Sequence, residues 1–372
     1  MAAHGNVSRS IRTSKAFRTL AARLRPRLVL RSIALLGLVS LAAYLSGVVG
    51  FGVASEPPRA AGVLASGQTV PWLPLQPDLH AKVTSKVLAQ AERVAFGTKH
   101  SGHIPRIIHQ QWRSANLPSN FATMSATFRA VDTYAHLLWT DADLSDFVRK
   151  YHPTIHALYL SLPKPILRAD LARYLLLLTF GGLYSDLDTI LLRHPDRWAD
   201  QHAAAARLIV GVEVDTTRPD WPDWYARSLQ FCQWTIASAR GHRVLHRTAS
   251  MAVAMLREAL AQTETDSANA ESISTASDAA LATGPPDVDT LETTGPGTWT
   301  DAIFAELLTH NVGPDNLRKL EHATLVGDIV ILPITGFSPG VGTMGAKGIS
   351  DPEARVHHLF EGSWKKDKDG KE

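Results

Sequence analysis

Asp186 and Asp188 stand one residue apart at the end of Leu183-Tyr184-Ser185, a short run with the period of a strand. Side chains two apart on a strand share a face. Two carboxylates on one face beside apolar sequence are costly unless a cation joins them. Hard divalent ions such as Mg²⁺ or Mn²⁺ are typically held by one or two carboxylates plus the phosphates of a substrate. The pair therefore points to a metal–diphosphate site. A bare Asp-x-Asp also arises in solvated loops, so its weight comes from what precedes it. Upstream, Asp170 and Arg173 lie one helical turn apart and share a helix face. Arginine suits phosphate oxygens and sugar hydroxyls. The same pattern also describes an internal ion pair on a solvated face. Tyr184 could stack or hydrogen-bond near a ligand, or fill the inner face of its strand.

Two further groups carry polar chemistry. The run His357-His358-Leu359-Phe360-Glu361-Gly362-Ser363-Trp364 offers an imidazole for a metal shell, with the Ser363 hydroxyl and Trp364 N–H as donors to diphosphate. Its residues equally fit a C-terminal strand with a packed tryptophan. His109, Gln110 and Trp112 follow a β-branched run and fall where an α/β domain binds ligands, at a strand's carboxyl end. Trp112 also fits as a core aromatic. The phosphate-loop pattern, the dinucleotide glycine fingerprint and the Gly-x-Ser-x-Gly elbow are absent.

The elements that position these residues are legible in outline. Leu171, Leu175 and Leu178 recur at helical spacing, and Gly181-Gly182 supply the positive φ that ends a helix at low cost. Strands are expected at 104–109, 134–139, 208–214 and 328–333, and Thr140 or Asp141 can cap the helix ending at 151–153. A short amphipathic helix is expected at 79–96, and a further one at 299–311. Alternating strands and helices point to an α/β domain with helices on both sheet faces. Residues 262–291 are mostly Ser, Thr, Ala, Asp, Glu and Pro, and are expected to form a disordered insertion.

The 372 residues suffice for one large domain or two ordinary ones, and a net charge of +3 gives no reason to expect nucleic-acid binding. No Asp or Glu precedes Glu56, while eight Arg and Lys crowd 9–31. Residues 32–54 carry no charge; at ~1.5 Å per helical residue they would span a bilayer core of about 30 Å. Basic residues favour the cytoplasmic side. The expectation is a cytoplasmic tail at 1–31, a single-pass signal anchor at 32–54, a proline-rich stalk at 55–100, a lumenal catalytic domain at 101–364 and a charged tail at 365–372. Cys232 is the only cysteine, which excludes an intrachain disulfide.

Three blocks together resemble glycosyltransferase family 32: Ile104-Pro105-Arg106-Ile107-Ile108-His109-Gln110, the segment 168–189, and the terminal Gly362-Ser363-Trp364. Gln233-Trp234-Thr235-Ile236-Ala237, the 294–301 run Thr-Gly-Pro-Gly-x-Trp-Thr-Asp and 332–340 are similar to its fungal branch of α-1,6-mannosyltransferases, which initiate N-glycan outer chains. The resemblance spans roughly residues 103–364. It implies a GT-A, Rossmann-like domain using a nucleotide sugar, here GDP-mannose, and Mn²⁺ or Mg²⁺. Asp186 and Asp188 would grip ribose and metal. Asp170 and Arg173 would contact the donor sugar, with His109, Trp112 and Tyr184 nearby. His358 or Ser363-Trp364 would close on metal and diphosphate. Asp301 would lie on the acceptor side. The resemblance further implies retention of anomeric configuration, an N-glycan acceptor on a glycoprotein, the Golgi membrane and a mannosyltransferase complex. An inositolphosphorylceramide acceptor and a non-catalytic Golgi binding protein are the alternatives.

Overall fold

The computed structural model describes residues 60–97, 102–273 and 288–361, with side chains from 263 to 273 left aside. The anchor expected at 32–54, the tail at 365–372, and Ser363 and Trp364 lie outside the described residues. Among those described, no helix is long and apolar enough to cross a membrane.

A small hairpin, β1 (Gly62–Val63) with β2 (Thr69–Val70), leads to helix α1 (Lys86–Gly97). The central sheet begins with β3 (Ile107–Gln111), followed by α2 (Ser119–Arg129), β4 (Ala135–Trp139) and α3 (Asp141–Tyr151). Thr140 caps α3 through a reciprocal box with Asp143, as its place before the apolar run requires. Helix α4 (Pro165–Phe180) delivers β5 (Gly182–Ser185), and β6 (Thr189–Leu191) follows the paired aspartates. Then come β7 (Leu208–Asp215), β8 (Leu229–Phe231), β9 (Thr235–Ser238), α5 (Arg243–Ile273) and α6 (Pro296–Leu307). The last strands among the described residues are β10 (Thr324–Val326), β11 (Ile329–Leu332) and β12 (Val356–His358).

The sheet order is β10-β11-β7-β9-β5-β3-β4, with β8 on β7. β3, β4 and β5 run parallel, as do β7 and β11, but β9 lies antiparallel between the two groups. The sheet is thus mixed, where alternating elements alone predict a parallel one. Residues 229–238 run back along β7 and part from it between Cys232, whose N–H still donates to the Gly211 carbonyl at 3.0 Å, and Ala237, so that the Trp234 carbonyl accepts the Asp186 N–H at 2.9 Å.

Period-two alternation gives the sheet two apolar faces. Ile107, Tyr184, Val210 and Ile331 face one core with α3, α4, α5 and α6. Ile108, Leu183, Ile209 and Leu332 face the other, with Phe128 of α2, Trp198 and Phe337. The second half of helix α4 is apolar all round, and Leu175 to Leu178 are all buried, the pattern of a helix inside the core. Its exit needs both glycines: φ is +66° at Gly181 and +102° at Gly182, and a Cβ at Gly182 would meet the Ile107 carbonyl oxygen at 2.6 Å.

Inside the 262–291 stretch the outcome differs from the expectation of disorder. Helix α5 continues through Ile273, and a short helix occupies Thr290–Thr293. Alanine and glutamate favour helix in the absence of Pro or Gly, and no Pro or Gly interrupts 243–273. Residues 274–287 lie outside the described residues.

Candidate active site

Asp186 emerges from the carboxyl end of β5, beside the carboxyl end of the parallel strand β3. In α/β sheets this is where ligands bind. The preceding helix turns one face onto it. Asp170 and Arg173 are 0% and 2% exposed, so the solvated ion pair that their spacing also allows is not what the fold builds. Arg173 Nη1 lies 3.0 Å from Asp170 Oδ1, and its Nη2 lies 3.3 Å from Asp186 Oδ1. One guanidinium therefore bridges two carboxylates.

Tyr184 adds a hydroxyl to the same group. Its O–H donates to Asp186 Oδ1 at 2.6 Å, Gln111 Nε2 donates to the Tyr184 oxygen at 2.7 Å, and Arg173 lies over the ring. Thr294 Oγ1 donates to Asp170 Oδ2 at 3.0 Å, and Gln233 Nε2 approaches Oδ1 at 3.4 Å. Burial, then the neighbouring Asp186 charge, pushes Asp170 up to about 6 against the pull of Arg173. Burial likewise raises Asp186, with Arg173 opposing and Asp188 adding to the rise. All contacts to Asp186 fall on Oδ1, and no described residue donates to its Oδ2.

Asp188 belongs to a different set of contacts. Strand β12 pairs antiparallel with β6, placing His358 opposite Thr189. His358 Nε2 then lies 3.1 Å from Asp188 Oδ1, and the Glu361 N–H donates to Oδ2 at 3.2 Å. Burial opposes ionisation of Asp188, but the hydrogen bond and charge of His358 outweigh it and hold its carboxyl below the usual range. The His358 ring is stacked on Trp234 at 4.2 Å and edged by Phe360 at 4.0 Å. His358 thus joins the paired aspartates as a partner of Asp188, and not as the third arm of a cage. No group of three His, Cys, Asp or Glu among the described residues forms a metal cage. An open site of one or two carboxylates that shares its ion with substrate phosphates needs none.

Buried polar atoms without hydrogen-bond partners collect here. Among the described residues these atoms include Gln111 Oε1, Arg173 Nε and His358 Nδ1, all around this cleft. Buried polar groups are almost always paired, so unpartnered atoms in a cleft beside two carboxylates suit a site for a ligand. The free Asp186 Oδ2, the ionised Asp188 and these atoms fit a divalent ion with a phosphorylated ligand.

Two residues expected at the site are elsewhere. His109 is buried in the core, where Trp139 Nε1 donates to its Nδ1 at 3.0 Å and its Nε2 donates to the Gly181 carbonyl at 2.9 Å. Both ring nitrogens are used, and burial lowers its pKa to about 4. It therefore fixes the glycine turn and is closed to a ligand. Asp301 is bonded to Arg227 at 2.8 and 2.6 Å, so its carboxylate anchors the 216–228 loop. Trp112 packs on Phe121 at 5.0 Å, in a small cluster that also holds Leu187, the residue between the two aspartates. Sequence reasoning missed Gln111, Thr294 and Glu213. Glu213 lies within the apolar run of β7, where Gln230 Nε2 donates to it at 3.0 Å and burial raises its pKa. Its one signal is a carboxylate at an inward strand position.

Comparison with known proteins is consistent with this geometry. The family described as "Glycosyltransferase sugar-binding region containing DXD motif" matches residues 109–205, which include α4, β5 and both aspartates. The "Initiation-specific alpha-1,6-mannosyltransferase" of Schizosaccharomyces pombe is 40% identical over 285 residues, covering 73% of this chain and 66% of that protein. The protein of the same description from Candida albicans is 33% identical over 311 residues, covering 75% of this chain and 77% of its own. "Inositol phosphoceramide mannosyltransferase 3" of S. pombe is 36% identical over 94 residues only, 24% of this chain and 26% of that protein. The alignment across most of the chain and the DXD region within it show that this chain belongs to the glycosyltransferases of family 32.

Proposed function

We propose that the chain transfers mannose from GDP-mannose to a protein-linked N-glycan, forming an α-1,6 linkage with the help of Mn²⁺ or Mg²⁺. The observation that carries this reading is Arg173 held between Asp170 and Asp186, two residues before an ionised Asp188. The names of the relatives aligned over most of the chain support the sugar and the linkage. A GT-A arrangement is supported by a mixed α/β sheet with both aspartates at its carboxyl edge.

Asp186 Oδ2 and Asp188 would hold the ion, which when bound offsets the negative charge that grows on a departing nucleoside diphosphate. The protein's own part is to fix both carboxylates. Tyr184 and Arg173 hold Asp186 by one oxygen, so the other points where its neighbours leave room. His358 and the Glu361 N–H hold Asp188 ionised. Asp170 and Arg173 are assigned to the donor sugar through the guanidinium, which keeps an unpaired Nε while Asp170, with both oxygens engaged, holds it in place.

An inositolphosphorylceramide acceptor is less well supported, since likeness to such enzymes is confined to about a quarter of the chain. The charged cleft argues against a purely structural binding module. Residues 32–54 would anchor the chain in the Golgi membrane, with the catalytic domain lumenal and open to a mannosyltransferase complex. The supports are their uncharged length and the basic flank before them. The test is transfer from a panel of nucleotide sugars to a high-mannose glycan, with the product read by mass. Mannose on the glycan supports the reading; another sugar, or lipid alone as acceptor, overturns it.

A further inference from the structure

The loop 216–228 leaves the carboxyl end of β7, the strand parallel to β5, and so rises on the same edge of the sheet as Asp186. It is built as a rigid arch. At its foot, Arg318 Nη1 donates to Asp215 Oδ1 at 3.0 Å, to the Thr216 carbonyl at 3.0 Å and to the Ser228 carbonyl at 2.9 Å. On its returning arm, Arg227 is bonded to both Asp301 and Glu292. Gln230 Oε1 accepts from the N–H groups of Ala226 and Arg227 while its Nε2 donates to Glu213.

At the top of this arch a turn at Trp221–Asp223 presents Trp224, which is 69% exposed. A lone exposed aromatic on a floppy loop would need no account. Here an indole is held out in water by a loop braced at both feet. The charges beside it are selective as well. Asp220 is neutralised by Arg218 at 2.9 and 2.5 Å, while Asp223 has no ion-pair partner among the described residues. The tip therefore carries a surplus carboxylate, which repels phosphates and anionic lipid but accepts from hydroxyls.

A pyranose ring has an apolar C–H face for an indole and hydroxyls for a carboxylate. We propose that the 216–228 loop is a subsite for a neutral oligosaccharide, with Trp224 the platform for a sugar ring remote from the reacting end. This rests on reading the chain as a glycan-modifying transferase and adds where the acceptor is held. The spacing agrees with a remote ring. From Ser228, at the loop's foot, β8 leads to Gln233 at the cleft in five residues, at most ~17 Å at about 3.3 Å each. A ceiling of that size keeps the loop's foot within reach of an oligosaccharide whose end is seated in the cleft. Asp301, expected on the acceptor side, then serves that side through Arg227, by holding the loop.

The experiment uses the full chain and two neutral acceptors, mannobiose and a long mannose oligosaccharide, with Trp224→Ala and Trp224→Phe. Trp224→Ala is expected to raise KM for the long acceptor about tenfold, the loss of roughly one stacking contact. KM for mannobiose, kcat and the KM for donor are expected to stay within about twofold of wild type, and Trp224→Phe to recover most of the loss. An unchanged KM for the long acceptor, or equal rises for long and short acceptors, overturns the subsite. So does binding of anionic phosphatidylserine vesicles that depends on Trp224 while oligosaccharide binding does not. Oligosaccharide binding is also followed by saturation-transfer NMR, which needs no turnover. If wild type transfers no sugar at all, the proposed function fails, while loss or retention of this binding in Trp224→Ala still decides the subsite.

Discussion

His358 Nε2 lies 3.1 Å from Asp188 Oδ1, and the backbone ladder of β12 on β6 sets His358 opposite Thr189, the next residue in the chain. The contact is therefore fixed twice, by side chain and by register. Trp234 and Phe360 hold the ring plane, so the imidazole cannot turn away without losing its stack. Partners that orient a metal-binding carboxylate are worth about 10- to 100-fold in affinity or activity. His358→Phe preserves an aromatic ring between Trp234 and Phe360 but removes the nitrogen. It is expected to raise the Mn²⁺ concentration for half-maximal activity by about that factor, with thermal stability close to wild type. Metal titration of activity checks this.

Arg173→Ala would leave Asp170 buried beside Asp186 with no cation. Removing one partner of a buried ion pair costs about 3–5 kcal/mol, so urea denaturation should show a loss of that order. Arg173→Lys keeps the charge but cannot reach two carboxylates from one planar fork. It is expected to recover much of the stability and little of the activity. Full activity in the Lys variant would show that the bridging geometry is not needed.

His109, His136 and His152 are kept neutral by burial, with pKa values lowered to about 4, about 4 and about 3 from 6.5. The unfolded chain takes up these protons near pH 6.5, and the folded chain resists until near pH 4. Between those limits the unfolded state binds more protons, so stability rises with pH and is lost on acidification. His109 alone accounts for about 3 kcal/mol at the acid end of that range. Asp170, raised to about 6, works in the opposite direction and partly masks the slope. The informative comparison is wild type against His109→Gln, followed by denaturation from pH 7 to pH 4. The variant's stability should fall less steeply; identical slopes would mean that His109 does not carry this dependence.

Gly182→Ala tests the turn that delivers the aspartates. Its φ of +102° is strained for any other residue, and the new Cβ would sit 2.6 Å from the Ile107 carbonyl oxygen. Strain alone costs of order 1–3 kcal/mol, and β3 must also shift. Reduced melting temperature together with lost activity is expected. A stable, fully active variant would contradict the close approach of β5 to β3.

The legible parts of the fold are those with strong periodic or capping signals. Helix α4, the Gly181-Gly182 stop and strand β5 carry their own signatures, and so does the Thr140 cap. The antiparallel course of β9 is not legible, because it depends on the chain parting from β7 between Cys232 and Ala237, a tertiary event without a local sequence mark. At the site, Asp170 and Arg173 are visible by their spacing, but their burial is not. His109 misleads because its position at a strand end suits a ligand contact, while its real partners, Trp139 and Gly181, are 30 and 72 residues away. Asp301 misleads for a similar reason, since its place in a glycine-rich block hides the distant Arg227. Gln111 and Thr294 are uncharged, and although Thr294 opens the 294–301 run, its residue type does not mark it as a partner of Asp170.

The most direct test of the central claim compares wild type with Asp188→Asn for mannose transfer from GDP-mannose to a high-mannose glycan across a Mn²⁺ titration. Asparagine keeps the shape of the side chain but removes the charge that His358 and the ion both answer. The account predicts Mn²⁺-dependent transfer by wild type and a loss of at least about 10²-fold in the variant, the scale of removing one preorganised electrostatic element. Transfer that is independent of Mn²⁺, or undiminished by Asp188→Asn, would contradict it.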